Sequence, residues 1–340
     1  MSTEDPVAFE YQGYLLFNGI YEVSSLNSKY EGSRSEARAT LSELFDSYEK
    51  GDQGTKKGYE DLDLPNYIRD DDSVEEKLST VADFLISHRY LYEDRESTDA
   101  YYQGEEVEVE VPHVQDTDIY WYHPEYMLFR GSKDDVQEAR EHTRTKFGAD
   151  ANLRSVDFTS NFLLWLFYKH CKDDPLYDAC EFDGGLSISA LTDTTLEGDR
   201  DPFGETNQVD DSTNLRRCVP MIAGILKDKN ISLLEGYFQL YDDYRLKTQI
   251  GNGRVHIKAS DGDIQSSNDV RRLAMSLSFL QELLQLYDCW QDLPAQERIP
   301  PYGFFEDLYE TAKDLGVEID SMSDDMLNRY GNKRDEDWLS

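Results

Sequence analysis

The chain has 340 residues and carries 70 Asp and Glu against 34 Lys and Arg, a formal net charge of −36. Hydrophobic residues make up 39% and aromatic residues 12%, which is enough to fill a sizeable core and excludes a chain that is disordered throughout. Single cores stop growing at roughly 250 to 300 residues, so the length predicts one large domain or two ordinary ones.

The surplus of acid is spread over nearly every segment of the chain. Such a charge opposes a compact state by self-repulsion unless counterions screen it, and at about 1 M salt the screening length is only about 3 Å. The composition therefore predicts a salt-adapted protein. One alternative is a mesophilic acidic protein. Another is an acidic mimic of DNA phosphates, for which the clean row of carboxylates is Glu106, Glu108 and Glu110.

The termini and apolar runs indicate a cytoplasmic protein without a membrane segment. The first residues lack a basic stretch followed by an apolar run and a small-residue cleavage site, so secretion is not expected. The longest apolar run, residues 162–168, is far below the roughly 18 residues that span a bilayer. The cysteines at 171, 180, 218 and 289 show no C-x-x-C pair, which predicts reduced core thiols.

The N-terminal third alternates strand and helix patterns. Short strands are predicted over 7–24, and a helix follows from Ser33 to a stop at Gly51. Ser73 and Glu76 form a capping box that predicts a second helix, with an apolar stripe that reaches residue 85. Strands return between 90 and 130. Their alternation predicts three side chains facing a core, namely Val107, Val109 and Val111.

Helices become more prominent after residue 130. Ser132 is expected to cap a polar helix that reaches Lys146, and the nearly uniform apolar stretch from Asn161 predicts a buried helix. Residues 194–211 are rich in Asp, Gly and Pro and are predicted to form a long surface loop. The clearest helical stripe covers residues 268–292.

These runs predict an α+β fold with mixed, mainly antiparallel sheets and packed helices. We expect an N-terminal unit over 1–112 and a C-terminal unit over 113–320, which contains a hairpin at 244–260 and the helix at 268–292. A charged tail follows at 321–340.

Signatures of cofactor and metal chemistry do not occur in the sequence. No phosphate-cradling GxxxxGK[ST] loop or dinucleotide fingerprint is found, so no cofactor is predicted. His170 with Cys171 and Cys180 lacks the paired spacing of a zinc site, so we interpret this group as core residues. A metal-dependent hydrolase or nuclease stays an alternative. It would draw on a small set of groups, namely Asp116, Asp118, Asp242, Asp243 and Lys247.

The seventeen residues 244–260 contain no acid, which sets them apart from the rest of the chain. Asn252-Gly253 lies between strand-like residues and predicts a β-hairpin with a type I′ turn. In that register residue n faces residue 505 minus n, so Lys247 lies opposite Lys258. Like charges directly across two strands are destabilising unless a counter-charge covers them.

One face of this hairpin is therefore the candidate anion-binding surface. Its residues are Arg245, Lys247, Arg254, His256 and Lys258, and Arg271 and Arg272 add charge at the start of the next helix. The counter-charge could come from the phosphates of a nucleic acid. It could also come from the protein itself, through Glu106, Glu108 and Glu110 or through Asp242, Asp243, Asp261 and Asp263.

The sequence thus predicts a non-enzymatic interaction protein that contacts nucleic acid or another anionic partner through the hairpin. The hydrolase described above is one alternative. The other is a protein that binds a protein partner, either as an assembly protein using the helix 268–292 or as an acidic DNA mimic.

Overall fold

A computed structural model describes residues 14–24, 30, 32–49, 56–178, 180, 184–201, 204–317 and 321–339. The chain divides into two compact units. The first comprises Met1–Val156 with Asp269–Ala274, and the second comprises Asp157–Asn268 with Met275–Ser340. Within the described ranges, no helix has both the length and the apolar character needed to cross a bilayer.

The first unit is built on an antiparallel sheet with the strand order β2-β3-β4-β5-β1. A sixth strand pairs with the last residues of β1. The strands are β1 (Leu15–Ser24), β2 (Lys57–Asp61), β3 (Leu85–Tyr102), β4 (Glu105–Tyr122), β5 (Tyr126–Arg130) and β6 (Asn152–Ser155). The predicted domain boundary at residue 112 falls inside β4. Large aromatic side chains such as Trp121 and Phe129 are fully buried on this sheet.

Four α-helices lie entirely in the first unit's described residues: α1 (Arg34–Leu44), α2 (Leu64–Asp70), α3 (Glu76–Ser79) and α4 (Lys133–Phe147). Ser33 and Glu36 form a capping box at the start of α1, and the Ser132 side chain accepts the Asp135 N–H at the start of α4. The predicted stop of α1 at Gly51 lies outside the described residues, and the helix ends earlier, at Leu44.

The second unit contains a sheet with the order β11-β10-β9-β7-β8. Its strands are β7 (Leu186–Asp201), β8 (Gly204–Val209), β9 (Asn230–Leu240), β10 (Tyr244–Gly251) and β11 (Arg254–Ile257). The helices are α5 (Ser160–Lys172), α6 (Val219–Leu226), α7 (Asp269–Asp292), α8 (Ala295–Arg298), α9 (Tyr302–Asp314) and α10 (Asp324–Arg334). The first residues of α7 belong to the first unit, and the rest of the helix belongs to the second.

The α+β prediction is confirmed, because helices accompany sheets whose strand pairs are antiparallel. Two local predictions are wrong. Residues 194–211 are not a long loop, since most of them lie in the antiparallel pair β7 and β8. The capping box of Ser73 and Glu76 is not formed, since α3 begins after Glu75 without a side-chain cap. The helix is also shorter than predicted: α3 passes into a 3₁₀ helix at Thr80–Asp83, and the chain enters β3 at Leu85. The predicted strand residues before 14 lie outside the described residues.

Candidate interaction surfaces

The predicted hairpin is formed by β10 and β11. Gln249 pairs with His256 and Ile250 with Val255, which confirms the predicted register. The Lys258 N–H donates to the Lys247 carbonyl at 2.9 Å, so the two lysines do lie across from one another. The type I′ turn is wrong: Gly253 has φ of +66°, but Asn252 is not among the described residues with positive φ. One glycine in the left-handed region is enough to reverse the chain here.

Glu235 on β9 supplies the counter-charge of the two lysines. Its carboxylate lies 3.3 Å from Lys247 Nζ and 3.4 Å from Lys258 Nζ, and its side chain is only 8% exposed. Gln249 Nε2 donates to the same carboxylate at 3.0 Å. Burial alone would lower the pKa of Lys247, but the hydrogen bond and charge of Glu235 outweigh it and raise that pKa above its usual value. The lysine pair is thus satisfied within the sheet by a carboxylate that the sequence prediction did not include.

Two of the four flanking aspartates that were predicted as counter-charge, Asp261 and Asp263, contact other groups of the hairpin region. The Asp261 carboxylate accepts a hydrogen bond from the Tyr237 hydroxyl at 2.8 Å. The Asp263 carboxylate accepts one from the backbone N–H of Arg245 at 2.6 Å. The Arg245 guanidinium lies over the Tyr237 ring, 3.9 Å from its centroid. This stacking holds the side chain beside the polar face of β9 and β10.

The remaining predicted site residues are distributed over both units. Arg254 is exposed at the start of β11, and His256 is half-buried. Burial, together with the charges of Lys258 and Arg254, lowers the pKa of His256 to about 4, so it is neutral at pH 7. Arg271 forms an ion pair with Glu75 at 2.6 Å, and Arg272 with Asp269 at 3.4 Å. Most of the candidate cations therefore have an acidic or aromatic neighbour within the protein.

The carboxylates considered for a hydrolase differ in their surroundings. Asp118 is fully buried, and its two oxygens are bound by Arg89 at 2.7 Å and by Arg130. Burial would raise the pKa of Asp118, but the two guanidinium groups hold it below the ordinary value, whereas burial raises that of Asp116. Across the parts of the chain that the structure describes, no group of three or more His, Cys, Asp or Glu is arranged to hold a metal ion.

The cysteines depart from the prediction of reduced core thiols. Cys180 and Cys289 form a disulfide, which closes a separation of 109 residues. Cys171 and Cys218 are free thiols. Burial raises the pKa of Cys171 to about 12, so its thiol is protonated at neutral pH and is a poor nucleophile.

The most exposed element of the first unit is the distal half of the β3–β4 hairpin, residues 93–114, which we call the arm. Beyond Tyr92 no described strand pairs with the outer edge of β3, and β5 pairs with β4 only up to Asp118. The arm is consequently a two-stranded ribbon whose outer edges carry no neighbouring strand in the described structure. All of its residues are described, and none is buried.

The two faces of the arm differ in chemistry. One face carries Glu106, Glu108 and Glu110, opposite Tyr101, Asp99 and Ser97. The other carries Val107, Val109 and Val111, opposite Ala100, Thr98 and Glu96. The inward orientation predicted for the valines is wrong, because the ribbon extends past the sheet and Val111 is 38% exposed. The alternation that indicated a strand could not show that nothing packs against its apolar face.

The chain turns away from the sheet at Gly131, directly after β5. This turn leaves a cavity of about 360 Å³ beside β4, lined by Gln115, Asp116, Arg130 and Ser132 among others. Gly131 itself still donates to the Leu16 carbonyl at 3.1 Å. The outer edge of β4 is therefore open from Asp116 to the tip of the arm.

The sequence matches no protein-family model, and a search of curated proteins finds no significant match.

Proposed function

We propose that this chain is a salt-adapted interaction protein that works by binding a protein partner through the arm. The observation that carries the proposal is the exposed two-stranded ribbon over residues 93–114, with open edges and a valine face that is not buried. Isolated two-stranded ribbons are marginally stable in water, and exposed apolar edge strands promote pairing with other chains. A ribbon of this length that serves no core is best explained by a partner.

The geometry of the arm supports a specific shape rather than a loose loop. Its tip is a two-residue turn in which Gln103 and Gly104 both have positive φ, 53° and 87°. That turn matches the twist of paired strands. The register is continuous from Tyr102 opposite Glu105 back to Leu85 opposite Tyr122, so the arm continues the β3–β4 pairing of the sheet without interruption.

The acidic composition supports the proposal of salt adaptation. The arm alone holds eight acids and one arginine, a formal charge of −7, although it contributes nothing to the core. Self-repulsion of this kind is tolerated where the screening length is short. A cytoplasmic location stays a prediction, and the Cys180–Cys289 disulfide weighs against it because most cytosols keep thiols reduced.

The test shortens the arm without touching the sheet. Residues 97–110 are replaced by Asn-Gly, which closes the hairpin at the pair Glu96 and Val111, in the same hydrogen-bonding phase as the native tip at Tyr102 and Glu105. We expect this variant to melt within a few degrees of the full chain but to lose the proteins that the full chain captures from extracts of its own cells at about 2 M KCl. Capture of the same proteins by the shortened chain would contradict the proposal.

Contact with nucleic acid through the hairpin stays a second candidate, because Arg245 and Arg254 present exposed side chains on one face. The lysines are poorer probes of it, since Glu235 already binds both. Changing both arginines to glutamate should abolish retention on nucleic acid at about 0.2 M KCl, where phosphate contacts are strong. Equal retention of the variant and the wild-type chain would rule this candidate out.

A further inference from the structure

The outer edge of β4 in the arm faces away from β3, as the directions of its backbone groups show. In an antiparallel strand the N–H and C=O of one residue point to the same side, and the side alternates along the chain. The N–H of His123 donates to the Phe84 carbonyl at 3.0 Å, so odd-numbered positions of β4 point toward β3. The β3–β4 register has no shift, so even-numbered positions point outward along the whole strand.

Two observations agree with this assignment. Pro112 is an even-numbered residue and has no N–H, which a paired strand tolerates only where that group would face away from its neighbour. The carbonyl of Tyr122, also even-numbered, accepts the Glu125 N–H at 2.8 Å in the turn that leads into β5, on the side away from β3. The outward N–H and C=O groups of Glu106, Glu108 and Glu110 thus form a short ladder, and no described strand pairs with it.

The side chains along this ladder define what could be added to it. An incoming strand would meet glutamates on one face and valines on the other, because directly opposed residues share a face. Opposite charges directly across two strands are favourable, and like charges are unfavourable. Of the three glutamates, Glu110 contacts Arg95 at 2.9 Å and Glu108 contacts Ser97, yet Glu110 is still 64% exposed.

From these observations we infer that the arm binds an extended segment of another protein, which adds as a strand to the outer edge of β4 and alternates Lys or Arg with β-branched residues. The inference rests on the proposed function, since it names the partner's chemistry at the same arm. A second copy of this chain does not fit, because pairing β4 with itself in the register that matches valine faces places glutamate across from glutamate. Backbone bonds and valine packing supply most of the attraction, and the charges supply selectivity.

The probe is the peptide KVKVKVK, acetylated and amidated at its ends and N-methylated at the valines. Its lysine N–H groups can pair with the outward groups of the glutamates. The methylated valines block the second edge of the peptide and so prevent extended sheets, and lysine across from lysine disfavours a peptide dimer. The matched control is the same peptide N-methylated at the lysines, which lacks the donors of the docking edge. A third peptide, EVEVEVE methylated at the valines, tests charge.

We expect the first peptide to bind the full-length chain and to slow hydrogen exchange of residues 105–111, and the other two to bind at least about tenfold more weakly. Equal binding of the lysine-methylated peptide would overturn the strand-addition geometry. Equal binding of the acidic peptide would overturn the basic partner. Failure of all three to bind or to slow exchange would overturn the whole inference.

Two substitutions test the same edge in the protein. Glu108→Pro removes one outward N–H and leaves the bonds to β3 intact, as Pro112 already does, and Glu108→Lys reverses one charge. Each should weaken peptide binding about tenfold without a change in melting temperature, whereas Glu43→Lys on the exposed surface of α1 should have no effect. If the shortened arm loses its cellular partners but both Glu108 variants keep them and bind the peptide normally, the proposed function stands and this inference fails.

Discussion

Replacing Glu235 by glutamine should destabilise the second unit more than removing any other single charge from the face of β9, β10 and β11 that carries Lys247 and Lys258. The substitution keeps the shape and one hydrogen-bonding oxygen but removes the negative charge between two lysines. Lys247 and Lys258 are then left on neighbouring strands, with side chains 19% and 28% exposed, and no carboxylate between them.

The expected magnitude follows from the distances. At 3.3 and 3.4 Å, each Lys–Glu contact has a gross attraction of about 5 kcal/mol at an effective dielectric constant of about 20. Desolvation of the buried carboxylate offsets much of this attraction, and removal of one partner from a buried pair typically costs about 3–5 kcal/mol. Because the lysines keep some contact with water, we expect a loss of about 3 kcal/mol.

Urea unfolding at about 2 M KCl measures this loss as a change in midpoint at constant slope. The matched control is Glu310→Gln, which breaks an exposed i,i+3 pair with Lys313 at 2.8 Å and should leave the urea midpoint nearly unchanged. Adding Lys247→Met and Lys258→Met to Glu235→Gln should restore most of the stability, since the uncompensated charges are then gone. A Glu235→Gln variant no less stable than the control, or a triple variant no more stable than the single one, would refute the reasoning.

Three further results are expected. Dilution from about 3 M to about 0.1 M KCl should lower the melting temperature, because the charge of −36 is then less screened, and an unchanged melting temperature would contradict salt adaptation. Burial lowers the pKa of His88 to about 4 in the folded chain. Between about pH 6.5 and pH 4, His88 is therefore protonated in the unfolded chain but neutral in the folded chain. Stability should fall by up to about 3 kcal/mol between those pH values, and His88→Gln should flatten that decline relative to wild type; parallel curves would disprove this origin. Urea-unfolded, unreduced protein should show two titratable thiols rather than four, and changing both Cys180 and Cys289 to serine should lower the unfolding free energy by about 2–4 kcal/mol.

Short-range signals in the sequence carried the hairpin prediction. Asn252-Gly253 between two alternating segments sets the strand register, so the facing of Lys247 and Lys258 follows from one dipeptide and the period of two. The α+β class follows in the same way from the sum of local patterns. The helix caps at Ser33 and Ser132 also depend on local sequence, because a capping side chain bonds to a backbone N–H only three residues away.

The errors arise where a third element decides the outcome. Glu235 is a single acid in an apolar strand, and only the pairing of β9 with β10 places it between the lysines. The alternation over residues 106–111 indicated a strand with an apolar face, but burial of that face depends on whether another element covers it. The 194–211 segment has the composition of a loop, yet pairing of β7 with β8 and β9 overrides that preference.

By itself, the sequence determined the charge, the class of fold, the caps at Ser33 and Ser132 and the register of the hairpin, because each depends on composition or on residues close together in the chain. Tertiary structure alone decided that Glu235 neutralises the lysine pair, that Cys180 meets Cys289 across 109 residues, and that the valines of the arm stay exposed. The physical reason is that counter-charge, disulfide bonding and burial are properties of neighbours in space. Local patterns constrain only the residues that the chain already brings together.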